Sequence, residues 1–582
     1  MDQTIIPNIM QPLRYTTQPI IQWILLWGVL AGFSPSVSSQ QTVGTILTTS
    51  DSWSGYTLFN PTNQETTYLI NACGQVVHSW ELDSRPGLSL YFMENGDLLR
   101  TGRFVDEHFS GGGIGGIIQR FNWDGNLVWT DTIASNTLHL HHDIEPMPNG
   151  NILAIAWEEH TADEAVELGR LPENTADEVW APRILELQPT GNNGSIVVWS
   201  WTAWDHLVQN TDSLAPHFGD PADFPRRMDI NFQANPNGGG GPGNGQSAYD
   251  WMHLNAVDYH SDRDEILISS HHWSEIWIID HSTSTEEASG SIGGQSGYGG
   301  DLLWRWGNPV AYGRGNESDQ QLFKQHDAKW INNGFPGEGD ISVFNNGKDR
   351  PEGPYSTVHE IQPTVEADGN YSIPSVLEAF GPIAPSWTYP ETLDGSFYSQ
   401  NISGSQKLEN GNTLICEGQD GRFLEIDAAG TPVWEYINPT SPWGPIEQGN
   451  DPISNAVFRV ERIPLDHPGL IGKDLTPGDP IELNPEIADC VEWLSNSIEV
   501  SSSESMELAL FPNPATDGIW VSANQTVPTQ VDVYTAFGRR WRSFTFSNRV
   551  WIPTSDWPRG MYLFRTAIER NDSVLTTPII IQ

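Results

Sequence analysis

The sequence predicts an all-β protein, a six-bladed β-propeller followed by a small C-terminal β-sandwich module. Three observations carry that prediction. A short aromatic strand motif recurs six times, Asn-Gly turns recur between apolar runs, and long stretches of helical periodicity are absent. Aromatic residues make up 10% of the 582 positions, beside 55 Gly and 41 Pro. Rings in that number, set among so many turn formers, fit numerous short strands and supply the core that a disordered acidic chain lacks.

Taken in order, residues 1–39 read as a signal peptide. Arg14 precedes an apolar run from Ile20 to Phe33, and small residues follow from Ser34 to Ser39. The run is short for a membrane span, so the mature chain is expected to carry no transmembrane helix and to be secreted or held at the cell surface.

Residues 40–480 carry the repeats. The motif of two apolar residues, then an aromatic or His, then usually another aromatic two positions on, appears as Val76-Val77-His78-Ser79-Trp80, Leu127-Val128-Trp129 and Val197-Val198-Trp199-Ser200-Trp201. It returns as Leu302-Leu303-Trp304-Arg305-Trp306, loosely as Trp387-Thr388-Tyr389, and as Val433-Trp434-Glu435-Tyr436. Asn95-Gly96, Asn149-Gly150 and Asn410-Gly411 each lead into an apolar strand, a hairpin signal in which both turn residues are expected at positive φ. One four-stranded blade cannot bury both its faces, whereas a closed ring of blades can, with the aromatics wedged between them. Residues 481–506, with a serine- and glutamate-rich stretch from Ser495 to Ser505, read as a linker. Alternating apolar strands fill 507–582.

The net charge is −46, from 74 acidic and 28 basic residues, which argues against partners such as nucleic acid or an anionic membrane. An anionic substrate must therefore find a local positive site. Cys73, Cys416 and Cys490 show no metal-type spacing, so neither a disulfide framework nor a thiolate zinc site is expected; the pairing considered is Cys73 with Cys416.

The chemistry lies in four histidine-bearing segments, expected to open or close strands in different repeats: His141-His142-Asp143, Trp251-Met252-His253-Leu254-Asn255, Ser269-Ser270-His271-His272 and Gln325-His326-Asp327. A fold that brings equivalent strand ends to a common centre gathers these imidazoles into one pocket. Strand alternation places His253 and Asn255 on one face and sends His141 and His142 to opposite faces, with His142 preferred at the centre. His206 and His359 read as structural. No cofactor and no metal are expected.

Two resemblances follow from residues. The run Phe511-Pro512-Asn513-Pro514-Ala515-Thr516-Asp517-Gly518, then Val533-Tyr534 with Gly538, then Trp557-Pro558-Arg559-Gly560-Met561-Tyr562, resembles the C-terminal sorting domain read by the type IX secretion machinery. The histidine segments resemble the arylsulfotransferase (aryl-sulfate sulfotransferase) family, together with Val343-Phe344-Asn345-Asn346-Gly347, Ser403-Gly404-Ser405-Gln406-Lys407-Leu408 and Trp434-Glu435-Tyr436. That resemblance implies a secreted six-bladed propeller that needs no nucleotide sulfate donor and takes small-molecule aryl sulfates and phenols. It implies His326 as nucleophile, with His142, His253 and Asn255 around the sulfate. This chain has His271 where the family has arginine after the Ser-Ser pair, which removes a bidentate anion clamp. His271 or His272 when protonated, and Arg422 in a Gly-Arg-Phe-Leu-Glu stretch, are the expected substitutes, and His141 is a further candidate for substrate binding. Two alternatives stay open: a non-catalytic surface propeller that binds glycan or protein, and a metal-dependent propeller hydrolase or lyase.

Overall fold

The computed structural model describes residues 41–105, 108–232, 249–366, 369–372, 375, 378–390, 395–485, 490, 508–511, 518–523, 529–535, 539–546, 549–555, 557–568 and 573–581. The segment read as a signal peptide and the Ser495–Ser505 stretch lie outside them. No described helix is long and apolar enough to cross a membrane.

Six antiparallel sheets follow one another along the chain, each written here from its lead strand outward. The first runs Val457–Pro464, Gly55–Pro61, Thr66–Ile70, Val76–Glu81, so its lead strand comes from far down the sequence. The second holds Pro86–Phe92, Leu98–Arg103, Gly116–Phe121 and Leu127–Thr132. The third holds Leu138–Pro146, Ile152–Thr161, Glu178–Pro189 and Ser195–Thr202. The fourth holds Leu254–His260, Glu265–Ser270, Glu275–Asp280 and Trp304–Trp306. The fifth holds His326–Trp330, Ile341–Asn345, Thr357–Ile361 and Trp387–Tyr389. The sixth holds Gly404–Lys407, Thr413–Glu417, Arg422–Ile426 and Pro432–Ile437, with Gly44–Thr48 added as a fifth strand. Lead strands touch in sequence order, and that of the sixth sheet touches that of the first.

Each copy of the aromatic motif falls in, or leads into, the fourth strand of its sheet. Indoles from five of the six copies reach across to the following sheet. Trp80 Nε1 donates to Asn122 O at 3.1 Å, Trp129 to Gly194 O at 3.1 Å and Trp201 to Gly300 O at 2.8 Å. Trp304 Nε1 donates to Gly381 O and Trp434 Nε1 to Ala72 O, each at 2.8 Å, the latter returning from the sixth sheet to the first. All five side chains are fully buried. Each ring thus contributes apolar burial and pairs its own N–H, a group that costs about 1–3 kcal/mol to leave unpaired when buried.

The Asn-Gly turns differ from expectation. Gly96, Gly150 and Gly411 have φ of +83°, +87° and +91°, while no preceding Asn is left-handed. Gly96 N donates to Met93 O and Met93 N to Asp97 O, both at 2.8 Å, and the same pair of bonds closes the other two turns. This is a type I turn followed by one left-handed glycine, so a single residue at positive φ suffices.

Two further corrections concern the chain after the sixth sheet. Residues assigned above to the start of a linker are packed: Leu483 N donates to Ile446 O at 3.0 Å, and Gln448 N to Leu483 O at 2.9 Å. Cys73 pairs with Cys490 in a disulfide, Cα atoms 5.7 Å apart, and Cys416 is the buried free thiol. Cys490 lies beyond the sixth sheet, where the repeat pattern has stopped, so nothing in the sequence marked its return to Cys73. Beyond it, a three-stranded sheet (Leu508–Phe511, Gly518–Ala523, Arg549–Pro553) and a four-stranded sheet (Arg540–Phe546, Thr529–Thr535, Gly560–Ile568, Ser573–Ile581) share a core that includes Ile519, Val521, Val531, Val533 and Phe564.

Candidate active site

The chain is bent in or beside the lead strands where three of the histidine segments sit. His142, His253 and Asp327 have φ of 54°, 50° and 55°, a region that His and Asp enter more readily than bulky residues. Strand pairing slips beside each one: opposite His142 between Ala154 and Ala156, beside His253 between Leu254 and Ala256, and at His326–Lys329. A bulge breaks the alternation of side chains and re-aims them. His141 and His142 therefore do not diverge to opposite faces as expected; their Nδ1 atoms lie 2.9 Å apart.

Four imidazoles run edge to face in a chain. Ring centroids are 4.5 Å apart for His142–His253, 5.1 Å for His253–His271 and 5.2 Å for His271–His326. Phe458, on the lead strand of the first sheet, lies 6.3 Å from both His142 and His326 and joins the two ends. His272 stacks on His253 at 4.7 Å, and His141 on Trp157 at 4.1 Å. The segments come from three sheets rather than four, since His253 and His271 both belong to the fourth, where His271 N donates to His253 O at 3.1 Å.

Hydrogen bonds fix how the rings present themselves. Asn346 Nδ2 donates to Ser399 O at 2.7 Å and Ile402 O at 2.8 Å, so its Oδ1 faces His326 as an acceptor and receives Nδ1–H at 2.7 Å. In the neutral ring Nε2 is then the nitrogen that carries no proton. Burial, against the pull of Asn346, holds the His326 imidazole down at about 3, so it is neutral. His253 Nδ1 is 2.6 Å from Asp250 Oδ2. Burial alone would raise the Asp250 carboxyl, but His253, His272 and His141 bring it down to about 2. Gln325 Nε2 donates to Ser270 O and Glu275 O, at 3.0 and 2.8 Å, and fixes the approach to His326.

Other expectations fare differently. Asn255 is buried beside the cluster, with Nδ2 donating to Gln325 O at 2.7 Å, so it ties the fourth sheet to the strand bearing His326. Burial and neighbouring imidazoles hold His271 well below its ordinary value, which makes it a neutral group and not a cationic replacement for arginine. His272 and His141 are each held at about 3 by burial. Arg422 lies on the third strand of the sixth sheet, between Glu417 and Glu435, and both carboxylates compensate it there. His206 and His359 are fully hydrogen-bonded, to Asp301 and Ala288, and to Thr357 and Thr388.

Sequence reasoning missed four groups. Asn346 stood within a quoted motif without a role, and Asp250 precedes His253 by one turn-length. Lys324, buried two residues before His326, donates from Nζ to His272 O at 3.0 Å, and burial lowers its ammonium to about 8. Arg459 follows Phe458 and pairs with Asp143 and, at 3.3 Å, with Asp327, the residues directly after His142 and His326. An Arg in an apolar strand gives no sequence signal for that clamp. A cavity of about 200 Å³ is lined by Asp327, Arg459, Glu145, Asp258 and Lys329 among others, but by none of the clustered histidines.

The arylsulfotransferase (ASST) family model matches residues 38–441, more than half of the sequence. The chain belongs to the arylsulfotransferase family. A second match, to the secretion system C-terminal sorting domain, covers residues 509–582 and points this family member to export through the type IX machinery, to a secreted or cell-surface location. No curated protein matches this arylsulfotransferase-family chain. Similar solved structures include a protein of unknown function from Bacteroides caccae, at 12% identity and TM-score 0.38 over 71% of this chain and 99% of that one. A streptogramin B lyase (11%, 0.32, 73% and 95%) and the virginiamycin B lyase from Staphylococcus aureus (9%, 0.28, 68% and 88%) are also similar. Likenesses this distant carry no argument about an arylsulfotransferase.

Proposed function

We propose that residues 40–480 or slightly beyond form a six-bladed propeller that moves sulfate from an aryl sulfate to a phenol through a sulfohistidine on His326, and that the C-terminal module is a β-sandwich address. The observation that supports it most is the Asn346 anchor, which takes the Nδ1–H of an imidazole that burial keeps neutral and so leaves Nε2 unprotonated. In the first half-reaction Nε2 attacks sulfur, an N–S bond forms, the S–O(aryl) bond breaks and a phenolate leaves. Positive charge on the sulfated ring falls on Nδ1–H, where Asn346 Oδ1 receives it. In the second half, the acceptor phenol gives its proton to His253 Nε2 while its oxygen attacks sulfur and His326 is released. The proton taken from the acceptor balances the phenolate set free earlier. Asp250 holds His253 in the tautomer that this needs and stabilises its charged form. His142 and His271 offer N–H groups to the sulfate oxygens, and Lys324 supplies fixed positive charge beside them.

The test is release of a chromogenic phenol from an aryl sulfate, with and without a second phenol, plus trapping of labelled sulfate on the protein. Wild type is expected to show phenol-stimulated release and a trapped label. His326→Ala is expected to lose the label and at least about 1000-fold of the rate. Release unaffected by phenol would make the protein a hydrolase and refute the transfer.

A further inference from the structure

We propose that His108, Glu159 and Glu178 form a zinc-type divalent metal site that staples the chain between the second and third strands of the second sheet onto the third sheet. Such a site runs against the metal-free expectation from sequence, and it is independent of the transfer chemistry above. His108 Nε2 lies 2.7 Å from Glu159 Oε2 and 3.9 Å from Glu178 Oε2, and one ligand atom from each residue falls within 4.8 Å of the others. Tetrahedral zinc with bonds near 2.0–2.1 Å spaces its ligands about 3.3 Å apart, so each contact needs only a small shift.

The two carboxylates share one face of adjacent strands. Glu159 pairs with Trp180 and Thr161 with Glu178, which makes Glu159 and Glu178 diagonal neighbours. Like charges so placed repel unless a cation lies between them. Trp180 Nε1 donates to Glu178 Oε1 at 3.1 Å, which orients Oε2 toward His108 in the way that supporting hydrogen bonds orient metal ligands. All three groups are partly exposed, so an ion can reach them. An imidazole and two carboxylates suit zinc or a similar first-row ion, with water as fourth ligand.

The position gives the site a consequence. Phe109, next to His108, is fully buried against Trp157 and Trp180, and a Cβ on Gly111 would meet the Trp157 ring at 2.8 Å. A Cβ on Gly113 would lie 2.0 Å from the His142 ring, and Gly113 O accepts from His142 N at 2.7 Å. A metal on His108 therefore holds this segment against the cluster.

The experiment is calorimetric titration of the whole mature protein with zinc alone, beside His108→Ala, Glu159→Gln and His326→Ala, with amide exchange read across residues 108–113. The proposal expects one equivalent in wild type and in His326→Ala, affinity reduced at least tenfold in His108→Ala and Glu159→Gln, and zinc-dependent protection of 108–113. Unchanged affinity in both His108→Ala and Glu159→Gln, or binding lost only in His326→Ala, would overturn it. Should His108→Ala fail to fold, the near-isosteric Glu159→Gln decides.

Discussion

An imidazole attacks only from the nitrogen that carries no proton, and Asn346 decides which nitrogen of His326 that is. Because burial keeps the ring neutral down to about pH 3, the acid side of the kcat/KM profile for the aryl sulfate donor, whose half-reaction does not use His253 as base, is expected to stay flat through pH 5. The alkaline side belongs to another residue. Lys324 is charged below about 8 and loses that charge as pH rises through this value, so kcat/KM is expected to fall there. Lys324→Met should lower kcat/KM about 10- to 100-fold and flatten that limb; an alkaline limb unchanged in the variant would remove Lys324 from sulfate binding. The histidines themselves were legible because four segments of matching type stood in order. The groups that tune them were not, since an Asn, an Asp or a Lys is informative only when its neighbour in space is known.

At the scale of the elements, the aromatic motif was legible because each copy sits at the fourth strand of its sheet, where an indole can meet the next sheet. Trp201→Phe keeps most of the burial but leaves Gly300 O without its donor, so urea unfolding is expected to show a loss of about 1–3 kcal/mol. No measurable loss would mean that packing alone joins the third and fourth sheets. Side-chain direction in the lead strands was misread for a physical reason. Alternation holds only while pairing is regular, and the bulges at His142, His253 and His326 break it where the site is built.

Across the whole molecule, Arg459 reaches from the first sheet to Asp143 of the third and Asp327 of the fifth. Attraction to both carboxylates outweighs burial and holds the guanidinium firmly charged. Arg459→Met would leave the buried Asp143 without its countercharge and Asp327 with Lys329 alone, with an expected cost of about 3–5 kcal/mol in denaturant unfolding and a disordered His142–His326 spacing. A variant as stable as wild type would show that the pair is redundant. The closing strand Val457–Pro464 has a further consequence. Gly55–Pro61, among the earliest strands made, waits some 400 positions for the neighbour that covers its edge. Until then its backbone groups stay open to any passing strand, so synthesis that stops short of Val457 yields a sticky, fast-cleared product rather than a half-working protein.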